Sequence, residues 1–322
     1  MHVRLTTLAA ALMVGVTPAW ATGLPAYETY SAAAEVDTNF FTGELYVPQS
    51  SVTTTPGEIA SITEISPIPI SNPYTASAST YLGSNHAYAQ ADHLSLGSIG
   101  VGSFSGWYDQ VTITGGTGAG SAQFTVQLNG TIDVGAVIGG VGYGLYASSV
   151  HPSLLTSSAL NMSTTSPWAL DAATPITGYT IGVSPYNDPN QISGLFATPP
   201  DLLLTPGAGQ AVNMTLTGTL NFTYGEAFYL IGGLGTAITN LEAFCTFSVD
   251  GTCTSPPVDG TGATILDFSN SANLVNIALP EGATASFASG NTYNVTTVPE
   301  PDAWLMLLAG LGLVGWRARR RA

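Results

Sequence analysis

Histidines are the first side chains to consider for chemistry, because imidazole can act as a general base or bind a metal near neutral pH. Beyond the first 21 residues the chain has His86, His93 and His151, and Asp92 stands beside His93. A metal cluster of His86, Asp92 and His93 would need a bend, because on one extended strand His86 and His93 face opposite sides. We therefore expect no metal at these histidines.

A serine nucleophile is the second possibility. The nucleophile elbow of many hydrolases reads Gly-x-Ser-x-Gly. The corresponding stretch here, Gly102 to Gly106, places Phe104 where the serine should be. A glycosidase would need two carboxylates at a set separation, which a sequence does not give. We expect no enzymatic activity, with a secreted hydrolase as one alternative.

Aspartates supply the one candidate for a cofactor. Asp250, Asp259 and Asp267 are candidate calcium ligands, because Val-Asp-Gly-Thr occurs twice, beginning at residues 249 and 258, and calcium prefers carboxylate oxygens. Otherwise these residues and Asp109 are expected at turns or strand edges. We expect no other cofactor.

Cations are missing from most of the chain. No lysine or arginine lies between Thr22 and Trp316, whereas all 20 acidic residues do. The chain therefore lacks the lysine of a phosphate loop, a Schiff-base lysine and a basic patch for nucleic acid. Nucleotides and nucleic acids are excluded as partners.

Strands are the elements that must position these residues. Residues 212–224 alternate apolar and Asn or Thr side chains, broken only by Gly218, and Ala87, Ala89 and Ala91 alternate with polar residues. Both patterns predict strands with one buried face. Further strands are predicted at 107–114, 123–129, 227–231, 264–268, 273–279 and 292–296.

Turn residues predict how these strands connect. The glycine-rich run 115–120 predicts a hairpin of 107–114 with 123–129, and Gly225–Glu226 predicts a hairpin of 212–224 with 227–231. Irregular structure is predicted for residues 44–80, which are rich in Ser, Thr and Pro, and a loop-rich insertion near 150–207. The fold class is all-β: an antiparallel, jelly-roll-like β-sandwich.

The N-terminus has the pattern of a secretory signal peptide. A basic start at Arg4 is followed by a mainly apolar stretch from Leu5 to Val16 and by Ala19-Trp-Ala21, an A-x-A cleavage site. Residues 1–21 are therefore predicted to be removed on export.

Cys245 and Cys253 are the only cysteines. Because export exposes them to an oxidising compartment, we predict a disulfide between them, worth about 2 kcal/mol in the chain-entropy description. The alternative, one catalytic thiol, would need a histidine, and none lies nearby in sequence.

The C-terminal tail has three successive parts. Val298-Pro299-Glu300-Pro301 is held extended by its prolines, Ala303 to Trp316 is uncharged, and four arginines follow. Fourteen residues of helix cover about 21 Å, less than the roughly 30 Å of a hydrocarbon core. Arg317, Arg319, Arg320 and Arg321 are expected to stay in the cytoplasm. The tail therefore predicts a single short transmembrane helix.

This tail resembles the PEP-CTERM sorting signal of proteins exported by Gram-negative bacteria. The resemblance implies a membrane peptidase, exosortase, as partner, cleavage near the Pro-Glu-Pro segment, and transfer from the inner membrane to the cell surface or extracellular matrix. It gives three regions: signal peptide 1–21, ectodomain 22–297 and sorting tail 298–322.

We expect a non-enzymatic structural or adhesive protein, with an exopolysaccharide as candidate partner. The first alternative is a carbohydrate-binding module, which exposed aromatics such as Trp107, Tyr108 or Trp168 would favour.

Overall fold

The structure is a computed structural model that describes residues 24–38, 45–46, 50–64, 74–92, 98–155, 173–184, 201–239, 246–247, 253–254 and 261–298. In these ranges the chain forms strands and one 3-10 turn, Pro152–Leu154. The strands are β1 (Tyr27–Thr38), β2 (Leu45–Tyr46), β3 (Ser50–Thr53), β4 (Ile59–Glu64), β5 (Tyr74–Tyr81), β6 (Ser84–Ala91), β7 (Ser98–Thr114), β8 (Ala119–Val134), β9 (Ile138–Ser148), β10 (Thr174–Val183), β11 (Leu202–Leu204), β12 (Gly207–Thr223), β13 (Ala227–Thr239), β14 (Thr246–Phe247), β15 (Cys253–Thr254), β16 (Thr264–Pro280), β17 (Thr284–Phe287) and β18 (Val295–Val298).

Two large sheets contain most of these strands. The nine-stranded sheet has the order β11-β10-β9-β13-β7-β1-β2, with β3 paired to β1 and β17 to β7. The seven-stranded sheet has the order β12-β8-β16-β6-β5-β4, with β18 paired to β16, and β14 and β15 form a separate hairpin. The prediction of an all-β fold is confirmed.

The pairing is mixed, which corrects the prediction of a purely antiparallel fold. β11 runs parallel to β10, and β18 runs parallel to β16. The successive strands β4, β5 and β6 form a meander in one sheet. Such a meander departs from the paired Greek keys of a jelly roll.

The two sheets enclose one hydrophobic core. Phe124, Val126 and Leu128 of β8 contribute from the seven-stranded sheet, and Trp107 and Ile113 of β7 from the nine-stranded sheet. Each of these side chains is at most 1% exposed. Burial of a large apolar side chain contributes about 1.5–3 kcal/mol, so this layer is the main source of stability.

Small residues bring the sheets unusually close on one side. Ala87, Ala89 and Ala91 of β6 are fully buried, which confirms the predicted small inner face. Some Cα atoms of β5 and β6 come within 8 Å of β7, nearer than the roughly 10 Å between typical stacked sheets.

Both predicted hairpins are wrong, because each turn carries the chain between sheets. β7 pairs with β1, β13 and β17, while β8 lies in the other sheet. Similarly, β12 pairs with β8, and β13 belongs to the nine-stranded sheet. The two crossings lie side by side: Tyr224 N–H donates to the Gly118 carbonyl at 2.9 Å, and Gly225 N–H donates to that of Ile113 at 2.8 Å.

Strands also occur where irregular structure was predicted. Residues 44–80 contain β2 to β5, and β5 alternates buried and half-buried side chains with the period of a strand. The predicted insertion near 150–207 contains the ten-residue β10, which pairs with β9. The alternation of β5 is hard to recognise in the sequence, because small alanines on its inner face alternate with Ser and Thr on its outer face.

Candidate functional site

The last described strand leads directly into the sorting tail. β18 ends at Val298, and its four residues pair in parallel with Ile277 to Pro280 of β16. Pro299, Glu300, Pro301 and the four arginines lie outside the described residues, as does the predicted helix. Among the residues described, no helix is long and apolar enough to cross a membrane. The sheet therefore ends at the residue before Pro299, where the Pro-Glu-Pro sequence begins.

Other predicted features lie partly outside the described ranges. The signal peptide with Ala19 and Ala21 is one, and Cys245, Asp250 and Asp259 are others. Cys253 begins β15, which pairs with β14. The predicted disulfide stays a prediction.

Of the three proposed calcium ligands, only Asp267 lies in the described ranges. Asp267 is half-buried on β16, where its carboxylate accepts from Ser269 N–H at 3.0 Å and Ser269 Oγ at 2.5 Å. No group of three His, Cys, Asp or Glu side chains that could hold a metal occurs among the described residues.

His151 lies in a network on the outer side of the nine-stranded sheet. Its Nε2 is 2.9 Å from the Pro25 carbonyl and 3.1 Å from Tyr108 Oη. Because a carbonyl can only accept, Nε2 carries the proton. Nδ1 then accepts from the Ser153 N–H at 3.2 Å and from Ser153 Oγ at 2.8 Å. His151 thereby caps the 3-10 turn.

Tyr108 extends this network to a carboxylate. Its hydroxyl donates to Glu28 Oε2 at 2.8 Å, and its ring meets His151 edge-on at 5.1 Å. Burial, followed by the Glu28 carboxylate, raises the pKa of Tyr108 well above its usual range. The network joins the start of β1 to β7 and to the 3-10 turn after β9. These polar groups therefore have a structural role: they fix the positions of three segments relative to one another.

Asp109 was predicted at a turn or strand edge, which is wrong. It lies fully buried in the middle of β7. Its carboxylate accepts from the Ser289 N–H at 3.1 Å, from Ser289 Oγ and from Tyr293 Oη at 3.2 Å. Burial raises the pKa of Asp109, and these hydrogen bonds offset part of that effect.

Trp107 and Tyr108, proposed as sugar-binding aromatics, are both fully buried. Trp107 donates through Nε1 to Asn85 Oδ1 at 3.0 Å inside the core. Trp168 lies outside the described residues. A sugar platform therefore cannot use Trp107 or Tyr108.

A different set of rings lies on the outer face of the seven-stranded sheet. We call Tyr81, His86 and Tyr88 the ring strip. Tyr81 is 52% exposed, its ring meets His86 edge-on at 6.2 Å, and His86 and Tyr88 are half-buried. The register Tyr81↔Ser84 places Tyr81 on the same face as His86 and Tyr88 of β6.

Hydrogen bonds hold the ring strip in place. His86 Nδ1 donates to the Ser269 carbonyl at 2.6 Å, and Nε2 is 3.1 Å from Ser84 Oγ. Tyr88 Oη donates to Gln90 Oε1 at 2.5 Å. Partial burial and the Asp267 carboxylate raise the pKa of Tyr88, so its hydroxyl stays protonated at neutral pH.

Beyond β16, which carries Asp267 on this face, the outer face continues across β8 and β12, where most outward side chains are uncharged and polar. Gln127 links two strands: its amide donates to Asn213 Oδ1 at 2.6 Å, and its carbonyl accepts from Thr215 Oγ1 at 2.9 Å. We call ten uncharged outward residues of these two strands the polar lattice: Gln123, Thr125, Gln127, Asn129, Thr131, Asn213, Thr215, Thr217, Thr219 and Asn221. Asp133 also faces outward, at the end of β8.

Sequence reasoning flagged His86 as a metal candidate and missed Tyr81 and Tyr88 as surface rings. A usable signal was present. Leu82-Gly83 is a two-residue turn, and Gly83 has φ +84°. Such a turn between two period-two runs predicts a hairpin and thereby the faces of its residues.

Comparison with known proteins identifies the tail. Residues 297–321 match the PEP-CTERM protein-sorting motif, which confirms the resemblance inferred from the sequence. The chain is therefore an exported protein that is sorted to the surface by an exosortase. No match to the chain was found among curated proteins.

Proposed function

We propose that this exported protein is a non-enzymatic structural or adhesive component of the extracellular matrix of a Gram-negative bacterium, and that it binds a neutral exopolysaccharide. The observation that carries the proposal is the outer face of the seven-stranded sheet, which carries the ring strip on β5 and β6 and, on the other side of β16, the polar lattice on β8 and β12. Exosortase delivers the chain to the place where such a polymer is found.

The chemistry of this face suits a polysaccharide. Tyrosine offers an apolar ring and a polar hydroxyl, which together match a sugar's C–H surface and hydroxyl groups. Thr, Asn and Gln both donate and accept hydrogen bonds. A neutral polymer is favoured because residues 22–316 contain no Lys or Arg to balance an acidic one.

Affinity electrophoresis of the exported chain tests this proposal. Gels containing a neutral glucan should retard it, and gels containing alginate should not. Tyr81→Ala should abolish most of the retardation, whereas Tyr27→Ala, a tyrosine 47% exposed on the other sheet, should not. Equal migration of both variants with the parent in neutral glucan would refute a role for the ring strip.

A secreted hydrolase is the second candidate, and one contact favours it: exposed Ser153 lies 2.8 Å from His151 Nδ1. Under our proposal this pair caps a turn, so a fluorophosphonate probe should leave Ser153 unmodified. Labelling that is lost in Ser153→Ala would instead support the hydrolase.

A further inference from the structure

β12 is a long strand at the edge of the seven-stranded sheet. It spans 17 residues and pairs with β8 on one side; on its other side, no strand within the described ranges pairs with it. Strands average about 5–6 residues, and long edge strands are usually protected by Lys, Pro or a bulge. β12 contains neither Lys nor Pro, and its register shift is confined to its start, between Gly207 and Gln210.

The sequence of β12 is complementary to itself when two copies run antiparallel. With Thr217 on a two-fold axis, the outer face pairs Thr217 with Thr217, Thr215 with Thr219, and Asn213 with Asn221. The inner face pairs Leu216 with Gly218, Met214 with Leu220, and Val212 with Phe222. These six pairs join polar with polar or apolar with apolar or glycine, as a shared sheet requires, and the outermost pair within β12, Ala211 with Thr223, joins a small side chain with a polar one.

We propose that β12 pairs with β12 of a second copy of this chain, forming a two-fold dimer with one continuous sheet. A two-fold interface uses the same patch on both copies, which a self-complementary strand satisfies. The charge pattern fits as well: β12 has no ionisable side chain, so the abundant carboxylates lie away from the seam. The inference does not depend on polysaccharide binding.

Disulfide trapping tests this pairing on the exported chain. Directly opposed residues of antiparallel strands have Cα atoms about 4.5–5.5 Å apart, within the disulfide range. Thr217→Cys should therefore form a reductant-sensitive covalent dimer. Thr125→Cys is the matched control, because Thr125 lies opposite Thr217 within one chain on β8. In the dimer its two copies would be about 14 Å apart, three strand spacings.

The register has a separate test. Thr215→Cys and Thr219→Cys should each fail to cross-link alone and should cross-link when mixed. The parent chain should sediment as a dimer whose fraction rises with salt, because salt screens repulsion between the acidic copies.

Mass spectrometry of the Thr217→Cys variant should find the peptide that contains position 217 linked by a disulfide to a second copy of itself. Thermal melting should show that each variant is folded. Two results would overturn the proposal: a parent chain that stays monomeric at every concentration and salt, or a dimer that neither the Thr217 variant nor the mixed variants cross-link.

Discussion

At the scale of one residue, Asp109 shows how a buried carboxylate is accommodated in a domain that has no lysine or arginine from residue 22 to 316. Its neighbours are the neutral donors Ser289 and Tyr293. Hydrogen bonds from neutral groups lower a carboxyl pKa, but here burial is the larger effect, and the pKa of Asp109 is raised. The ionised form is therefore less favourable in the folded protein than in the unfolded chain.

This raised pKa predicts a pH dependence of stability. A carboxyl with a raised folded pKa contributes stability that is fully present below its unfolded pKa, about 3.9, and is lost as pH rises through the folded value. The melting temperature should therefore increase from pH 7.5 to pH 5. Asp109→Asn should reduce that increase, because its side chain does not ionise.

The control is Glu226→Gln, a change at an exposed turn residue. Differential scanning calorimetry of the three proteins at both pH values gives the comparison. If the Asp109 variant and the parent gained the same number of degrees on acidification, the raised pKa would not be a factor in stability.

At the scale of secondary-structure elements, the absence of a side chain at Gly218 allows β12 of one sheet to approach β10 of the other closely. Gly218 faces inward on β12, and a Cβ atom there would lie 1.9 Å from the carbonyl oxygen of Ile176 on β10. The contact is with backbone, so a side chain could be accommodated only by moving a strand. Gly218 is also the residue that interrupts the apolar alternation of this strand.

Gly218→Ala should therefore destabilise the protein. Overpacking a well-packed site costs about 1–3 kcal/mol, and we expect a loss in that range. Urea denaturation followed by tryptophan fluorescence measures it. Thr219→Ala, at the exposed neighbouring position, should change the unfolding free energy by less than about 0.5 kcal/mol. Equal stability of both variants would mean that β10 moves freely at this edge.

Local pattern predicted individual strands well and their pairing poorly. The alternation of residues 212–224 anticipated the buried and exposed faces of β12. The glycines after β7 correctly indicated a turn, but a turn does not determine which sheet the next strand joins. The crossings depend on contacts between distant segments, such as Gly225 with Ile113, which no local pattern contains.

The candidate sites also differ in whether a local sequence pattern or the packing of distant segments determines them. The sorting tail is a contiguous motif, so its residues could be identified directly from sequence. The ring strip combines β5 and β6, and its outward faces follow from the hairpin register. Trp107 and Tyr108 were misjudged because their burial depends on segments distant in sequence: Trp107 lies between the two sheets, and Tyr108 is covered on the outer side of the nine-stranded sheet.

At the scale of the whole molecule, the folded domain lies immediately before the sorting signal in the chain. β18 is held by β16 up to Val298, and the matched motif begins at residue 297. Deleting Pro299 to Pro301 should therefore leave the chain in the inner membrane, because the hydrophobic segment remains while the segment read by exosortase is lost. Glu300→Gln should have the same effect.

Cell fractionation and immunoblotting measure this outcome. Glu281→Gln, an exposed carboxylate in the turn after β16, provides a control that should reach the surface like the parent. Normal surface delivery of the deletion variant would contradict the role assigned to the Pro-Glu-Pro segment.

Unbalanced charge is a property of the molecule as a whole. All of the 20 acidic residues except Glu300 and Asp302 precede Pro299, and no Lys or Arg lies between residues 22 and 316. The screening length is about 8 Å at physiological salt, so neighbouring carboxylates on one domain still repel each other. This repulsion favours the unfolded chain, in which the charges lie farther apart.

Added salt should therefore raise the melting temperature of the exported chain. The measurement is best made at low protein concentration, so that dimer formation does not contribute. Replacing two exposed carboxylates by lysine, as Glu226→Lys with Glu281→Lys, should reduce the salt effect, because each change shifts the net charge by two units. Calcium at matched ionic strength separates a specific site from screening: a further rise would indicate bound ion at Asp250, Asp259 or Asp267. A melting temperature indifferent to sodium chloride in both proteins would show that the carboxylates are too dispersed to repel one another.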